Sequence, residues 1–254
     1  MEQLLQLDID ILLAINGFHN DLLDTFFWNV SSKFIWIPMY AVMLFLLIRR
    51  YGKRSIWLIL ALIAAFALSD SLCHLIKHMV CRPRPSHNEL LTLSIHFINN
   101  YHGGHYGFPS QHAANTFAIA LLFCLIWGRG ENDTKHRNAS ILSEQGINSS
   151  EKTKHRNASI LVAIPLFIWT ALNCLSRVYL AVHYPTDILA GIIFGTIIAL
   201  GVYLVLLKTK VFKMTDMDGN ENKADKSLPM KVNYLPLIIL TLTLISCCIW
   251  HKIC

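Results

Sequence analysis

The chain has 254 residues, of which 54% are hydrophobic and only 15% charged, and its formal net charge is a modest +6. That charge gives no reason to expect a nucleic-acid partner. The apolar residues are gathered into long blocks, which argues against one large soluble core and for a membrane protein.

In chain order, Met1–Ser32 alternates apolar positions (Leu4, Leu5, Leu7, Ile9, Leu12, Leu13) with Asp8, Asp10, Asp21 and Asp24. This pattern predicts short amphipathic helices lying in the membrane interface, with no chemistry of their own. Acidic residues at Glu2, Asp8 and Asp10 stand where a cleavable signal peptide would be basic, so the first spanning helix is expected to act as the targeting signal.

Six apolar runs follow: Phe34–Ile48, Ile56–Ile76, Pro109–Trp127, Ile160–Leu175, Ile188–Leu207 and Leu235–Trp250. At about 1.5 Å per residue each comes close to crossing a ~30 Å hydrocarbon core, the shorter ones with help from flanking residues. The runs are apolar all round, whereas barrel strands would alternate. The expected fold is therefore all-α: a polytopic membrane helical bundle of about six transmembrane helices plus the N-terminal interfacial helices, forming one domain over residues 1–254.

Arg49-Arg50-Tyr51-Gly52-Lys53-Arg54 separates the first two runs, and the positive-inside rule places this basic turn in the cytoplasm. Alternation then puts Gly128–Ser159 and Lys208–Lys231, both basic, on the cytoplasmic side, and Lys77–Phe108 and Ser176–Asp187 on the other. The nonapeptide TKHRNASIL occurs twice in the first of these loops, at Thr134–Leu142 and Thr153–Leu161, as a local tandem duplication would leave it. Loops tolerate such insertions, so no function is assigned to it. Asn138, Asn148 and Asn157 stand in sequons that a cytoplasmic placement keeps unmodified. Seven cysteines show no paired Cys-x-x-Cys spacing and read as small packing residues.

Three segments on the predicted outer side carry chemistry: Lys77-x6-Arg84-Pro85, Pro109-Ser110-Gln111-His112, and Ser176-Arg177-x5-His183-x3-Asp187. Ionisable residues at a membrane border point to function, since they survive there by pairing or by lining a wet cavity. Lys77, Arg84 and Arg177 are cations suited to a phosphate group, a Lys point charge beside two Arg forks. Pro109 and Pro185 suit the first turns of helices whose free N–H groups would face an anion. Asp187 is near enough to His183 in sequence to bond one imidazole nitrogen and leave the other for attack. Asp70, His74 and Lys77 share one helical stripe, which serves either as a polar seam between helices or as a wall of the site.

Taken in this order and spacing, the three segments closely resemble the three-part signature of the type 2 phosphatidic acid phosphatase (PAP2) superfamily, which also includes vanadium haloperoxidases. The resemblance spans Lys77–Asp187 at motif level. It implies that His183 attacks phosphorus, Asp187 orients it, and His112 protonates the leaving oxygen. It also implies that Lys77, Arg84, Ser110, Arg177 and the backbone N–H of Gln111 hold the phosphoryl oxygens. The position of Gln111 is often Gly in the family. Arg82-Pro83 is a second Arg-Pro pair at a shorter spacing from Lys77, and Arg82 reads as an auxiliary cation.

The implied activity is a membrane lipid-phosphate phosphatase working through a phosphohistidine, without cofactor or metal. Its substrate would be a lipid phosphomonoester or diphosphate such as undecaprenyl diphosphate, phosphatidylglycerol phosphate, phosphatidic acid or a lipid A phosphate. Its partners would be that lipid phosphate and the membrane lipids, and its location a bacterial inner membrane with the site on the non-cytoplasmic face. A protein that carries phosphate-bearing lipids without hydrolysing them would use the same cations, and stands as the alternative. A vanadate-dependent peroxidase is disfavoured by the six apolar spans. The segment His96, His102, Gly103, Gly104, His105 lacks carboxylate or Cys partners at ligand spacing and reads as a flexible substrate-entry loop.

Overall fold

The computed structural model describes residues 2–144, 156–209, 211 and 230–249. These residues form ten α-helices: α1 Glu2–Gly17, α2 Asp21–Ser31, α3 Ile37–Tyr51, α4 Ser55–Val80, α5 Glu89–Thr92, α6 Gln111–Glu144, α7 Arg156–Tyr179, α8 Pro185–Lys208, α9 Met230–Asn233 and α10 Leu235–Ile249. Among the described residues the isolated bridge Pro83–Tyr106 is the only β pairing.

Among the described residues, each of the six apolar runs lies largely on helices. Four stretches among the described residues are long and apolar enough to cross a membrane: Phe34–Val80, Gln111–Arg129, Ser159–Tyr179 and Pro185–Lys208. The first of them holds two helices, α3 and α4, which meet at Gly52 with φ +54°, and α10 is a shorter apolar helix. Along α8 the residues Leu189, Ile193, Ile197, Leu200 and Leu204 form an exposed apolar stripe at 3–4-residue spacing. Water would make such a stripe costly, whereas lipid chains accept it. Inside, Trp36, Leu46, Leu122, Phe123, Trp127 and Trp169 are buried in one core drawn from α3, α6, α7 and neighbouring elements.

α6 is the central helix and packs against α8, α4 and α7. Its contact with α8 is made of small residues. A Cβ added at Gly191 would lie 2.5 Å from the Ser110 carbonyl oxygen and 2.9 Å from the Ala113 Cβ, and one at Gly195 would lie 2.5 Å from the Ala114 carbonyl oxygen. The two backbones touch because there is no side chain between them, the close approach that Gly-x3-Gly spacing permits.

Two expectations need correction. α6 continues to Glu144 and α7 starts at Arg156, so much of the connection expected from Gly128 is helical. Gly128 and Gly130 cost the helix only about 1 kcal/mol each relative to Ala, and no proline follows to stop it. The first copy of the nonapeptide lies in α6 and most of the second in α7, while residues 145–155 and most of Lys208–Lys231 lie outside the described residues. Among the cysteines, Cys73, Cys174 and Cys247 are buried as expected, but Cys81 and Cys248 are exposed.

The α6–α8 contact can be tested with matched glycine changes. Gly191→Ala is expected to destabilise the protein by about 1–3 kcal/mol through overpacking. Gly201→Ala, where nothing lies within 4 Å of an added Cβ, should leave the melting temperature in detergent unchanged or slightly raised.

Candidate active site

The turn after α4, the closure of α7 and the starts of α6 and α8 bring the three motif segments to one end of the bundle, opposite Arg49–Arg54 and Lys208. α4 ends just past Lys77, where Cys81 takes a left-handed conformation (φ 52°) and its N–H returns to the Lys77 carbonyl at 2.9 Å. The chain then runs extended through Arg82–Arg84, paired to His105–Gly107 by Arg84 N–H to the His105 carbonyl (3.0 Å) and Gly107 N–H to the Arg82 carbonyl (2.9 Å). The expected flexible entry loop is thus fastened to the Arg-Pro segment. Gly103 (φ +67°) lies so close over Arg84 that an added Cβ would come 2.6 Å from its Nη1.

α7 closes with a Schellman motif. The Val182 N–H bonds the Arg177 carbonyl (3.1 Å) and the Ala181 N–H the Val178 carbonyl (2.9 Å), with Ala181 left-handed at φ 52°. That conformation costs a residue with a Cβ about 1–2 kcal/mol, and it turns the chain so that Arg177 and His183 face one space. Pro185 then takes the first position of α8, as predicted.

The start of α6 differs from the prediction by two residues. Pro109 precedes the helix, and Ser110 caps it, its Oγ accepting from the Ala113 N–H at 3.4 Å. The Ser110 N–H donates to the Asp187 carbonyl at 2.9 Å, which ties the N-termini of α6 and α8 together. The Gln111 side chain turns away to Asp70 (Nε2 to Oδ1, 3.2 Å), which also accepts from Asn115 (3.0 Å). Of the Asp70/His74/Lys77 stripe, Asp70 therefore forms a seam between α4 and α6, His74 is exposed, and Lys77 enters the site.

Lys77, Arg84, Ser110, Arg177, His183 and Asp187 are all buried, and His112 is half-buried. Lys77 Nζ reaches only long contacts, 3.4 Å each, to the carbonyls of Tyr106 and Gly107. Arg84 donates Nε to the Tyr106 carbonyl (3.1 Å), and Arg177 donates to Ser31 Oγ (2.5 Å) and the Tyr101 hydroxyl (3.3 Å). Arg84 Nη1, Arg177 Nε and His183 Nδ1 are buried and have no hydrogen-bond partner among the described residues. Buried donors are seldom left so, and their concentration here suits an acceptor from outside. Burial first, and Arg177 next, push Arg84 down to about 10. His183 lies well below the ordinary histidine range because of burial, reinforced by Arg84, Arg177, Lys77 and His112, so its imidazole is neutral at neutral pH.

Asp187 is held on every side. Oδ1 accepts from Arg82 Nη1 (2.8 Å), and Oδ2 accepts from the Tyr184 N–H (3.0 Å) and lies 3.5 Å from His183 Nδ1. The guanidinium of Arg82 stacks 4.3 Å over the Tyr184 ring. Arg82 therefore partners the carboxylate instead of adding to the anion-facing cations.

The N-terminal helices also reach the site, contrary to expectation. Asn16 donates to the Tyr179 carbonyl (2.8 Å), Asp24 accepts from the Tyr179 hydroxyl (2.6 Å), Ser31 meets Arg177, and Asp8 pairs with Arg82 at 2.8 Å. A helical-wheel reading could have found part of this, since Asp8, Leu12 and Asn16 fall at i, i+4 and i+8 on one face. In the histidine-rich loop, His87 packs against His102 and His105, and among the described residues no group of three or more His, Cys, Asp or Glu is placed to hold a metal.

Cations gathered at one end of a lipid-exposed helical bundle, beside a neutral histidine backed by a carboxylate, mark a membrane phosphatase, and comparison with known proteins agrees. The family model described as the PAP2 superfamily matches residues 56–210. A lipid A 4'-phosphatase of Bacteroides thetaiotaomicron is 31% identical over 200 residues, covering 77% of this chain and 75% of the relative. Another, of Porphyromonas gingivalis, is 29% identical over 209 residues, covering 82% and 76%. The crystal structure of a transmembrane PAP2-type phosphatidylglycerolphosphate phosphatase from Bacillus subtilis shares the fold, with a TM-score of 0.55 and 19% identity over 83% of this chain and 89% of that one. The chain belongs to the PAP2 superfamily, as an integral membrane hydrolase of phosphoric esters.

The charge state of His183 has a direct readout. Its ring is expected to titrate below 6.5 in the free protein, followed by NMR of labelled histidine in detergent micelles, and Arg84→Gln should move the midpoint upward. The unfolded chain binds this proton first as pH falls below the ordinary value of about 6.5, so stability declines with falling pH until the folded pKa is reached.

Proposed function

We propose that the protein removes a terminal phosphate from a membrane lipid, with His183 as nucleophile, and that lipid A phosphates are the first substrates to test. The observation that carries the reading is the set of buried, partnerless donors on Arg84 and Arg177 beside the neutral imidazole of His183. Two relatives that match this chain over about three-quarters of their own length are lipid A 4'-phosphatases, which supports a phosphomonoester on a large lipid.

In this mechanism the phosphoryl oxygens take the free donors of Arg84 and Arg177, the Lys77 ammonium, the Ser110 hydroxyl and the N–H of Gln111 at the start of α6. The field of these groups offsets the charge of the transition state. Asp187 faces Nδ1 of His183, which leaves Nε2 as the attacking atom. Nε2 forms a bond to phosphorus as the lipid oxygen leaves and takes a proton from His112, which the negative charge of the bound phosphate favours in its protonated form. Water, giving its proton to the then neutral His112, breaks the N–P bond, releases inorganic phosphate and restores both imidazoles. The cations supply the charge stabilisation that a metal would otherwise give, so turnover should persist in EDTA.

Sidedness follows from charge. Arg49, Arg50, Lys53, Arg54 and Lys208 stand at the end of the bundle remote from the site. The positive-inside rule favours that end as cytoplasmic, in a bacterial inner membrane, with hydrolysis on the other face.

Phosphate release from lipid A, phosphatidic acid, phosphatidylglycerol phosphate and undecaprenyl diphosphate, in detergent with EDTA, tests the chemistry. Wild-type turnover should be blocked by vanadate, fall at least about 10³-fold in His183→Ala, and fall about 10²–10⁴-fold in His112→Ala. Full activity in His183→Ala would remove it as nucleophile, and lipid binding without phosphate release would favour the carrier alternative. In a background with Cys81, Cys248 and Cys254 replaced by Ser, external thiol labelling should reach a cysteine at Asn100 and not one at Ser149. The reverse pattern would overturn the orientation.

A further inference from the structure

We infer that Asp8, on the first helix, is a positioning residue for the reaction: it shares Arg82 with Asp187 and thereby keeps the second oxygen of Asp187 directed at His183. The inference rests on the assignment of His183 as nucleophile given above.

Asp8 is a carboxylate with 3% exposure, held by several donors. It accepts from Arg82 Nη2 at 2.8 Å, from the Thr186 backbone N–H at 2.9 Å and from the Thr186 hydroxyl. The opposite prong of the guanidinium, Nη1, donates to Asp187 Oδ1 at 2.8 Å and to Thr186 Oγ1 at 2.7 Å. One planar fork thus spans two carboxylates, a geometry open to Arg and closed to Lys. Thr186 is the second residue of α8, so Asp8 also occupies one of that helix's free N–H groups.

The sharing sets the charge that His183 meets. With Asp8 ionised, the positive charge of Arg82 is divided between two carboxylates, and Asp187 keeps negative charge for Nδ1 of His183. With a neutral group at position 8, Asp187 becomes the sole anionic partner of Arg82, its charge is drawn toward Oδ1, and its hold on the imidazole weakens as His183 gains positive charge in the transition state. The phosphate contacts of Lys77, Arg84 and Arg177 are untouched by this, so binding and turnover should separate. A residue far from the motifs in sequence would then act on kcat and not on KM.

The test measures kcat and KM for phosphate release, from whichever of lipid A, phosphatidic acid, phosphatidylglycerol phosphate and undecaprenyl diphosphate wild type turns over fastest, by Asp8→Asn, Asp8→Glu, Arg82→Gln and the Asp8→Asn/Arg82→Gln pair, with wild type and His183→Ala alongside. Asp8→Asn is expected to lose about 10–100-fold in kcat, the range of partners that act through a ligating or catalytic group, with KM within about 3-fold. Asp8→Glu should recover part of that loss, and the double variant should be no slower than Arg82→Gln alone. Folded Asp8→Asn with wild-type kcat, or with its defect confined to KM, overturns the inference. Because the comparison is made where wild type turns over and His183→Ala does not, that result leaves His183 standing. If Asp8→Asn does not fold, Arg82→Lys decides: it keeps the charge and loses the fork, so a loss of about 10-fold or more in kcat is expected and wild-type kcat overturns the inference.

Discussion

Like-charge crowding is the constraint on which the rest of this structure depends. Lys77, Arg84 and Arg177 are buried together, and the carboxylate nearest to them, Asp187, is already engaged by Arg82. Such a group repels itself and is short of hydrogen-bond acceptors, so something must hold it in place until an anion arrives. The frame does so with backbone geometry: the left-handed turn after α4, the Schellman closure of α7, and the glycine that lets the loop lie on Arg84. A phosphate entering this space would relieve repulsion and satisfy donors in one step. That is a stronger reason for anion selectivity than any single contact.

The bundle contributes a second constraint through the α6–α8 crossing. Because Gly191 and Gly195 leave the two backbones in contact, the Ser110 N–H can reach the Asp187 carbonyl, and the two helix N-termini become parts of one wall. The positive ends of both macrodipoles then favour negative charge in the same volume. Packing in the membrane interior and electrostatics at its border are therefore coupled through a few small residues.

Much of this was legible in the sequence, for identifiable reasons. Apolar block length revealed the spans, and the paired signals of motif spacing and basic turns placed Lys77, Arg84, His112, Arg177, His183 and Asp187 at one end. Three things were hidden. Ala181 in a left-handed cap carries no sequence mark, since glycine is the residue expected there. The partnership of Arg82 with Asp187 depends on a reversal at Cys81 that no turn signal announced. Asp8 sat in a segment whose amphipathic pattern suggested a surface helix, and only its shared face with Leu12 and Asn16 hinted that the helix packs inward. In each case the information lies in tertiary contact between distant segments, which periodicity does not report.

The duplicated nonapeptide acquires a meaning from where it falls. The first copy occupies the far extension of α6 and most of the second the beginning of α7, and the apolar part of α6 alone puts about 26 Å of helix between His112 and the first copy. A change of chain length there falls at the end of the bundle remote from Lys77, Arg84 and His183. The bundle thus separates the end held by the turn at Cys81, the closure of α7 and the Ser110–Asp187 bond from the end that carries the repeated nonapeptide.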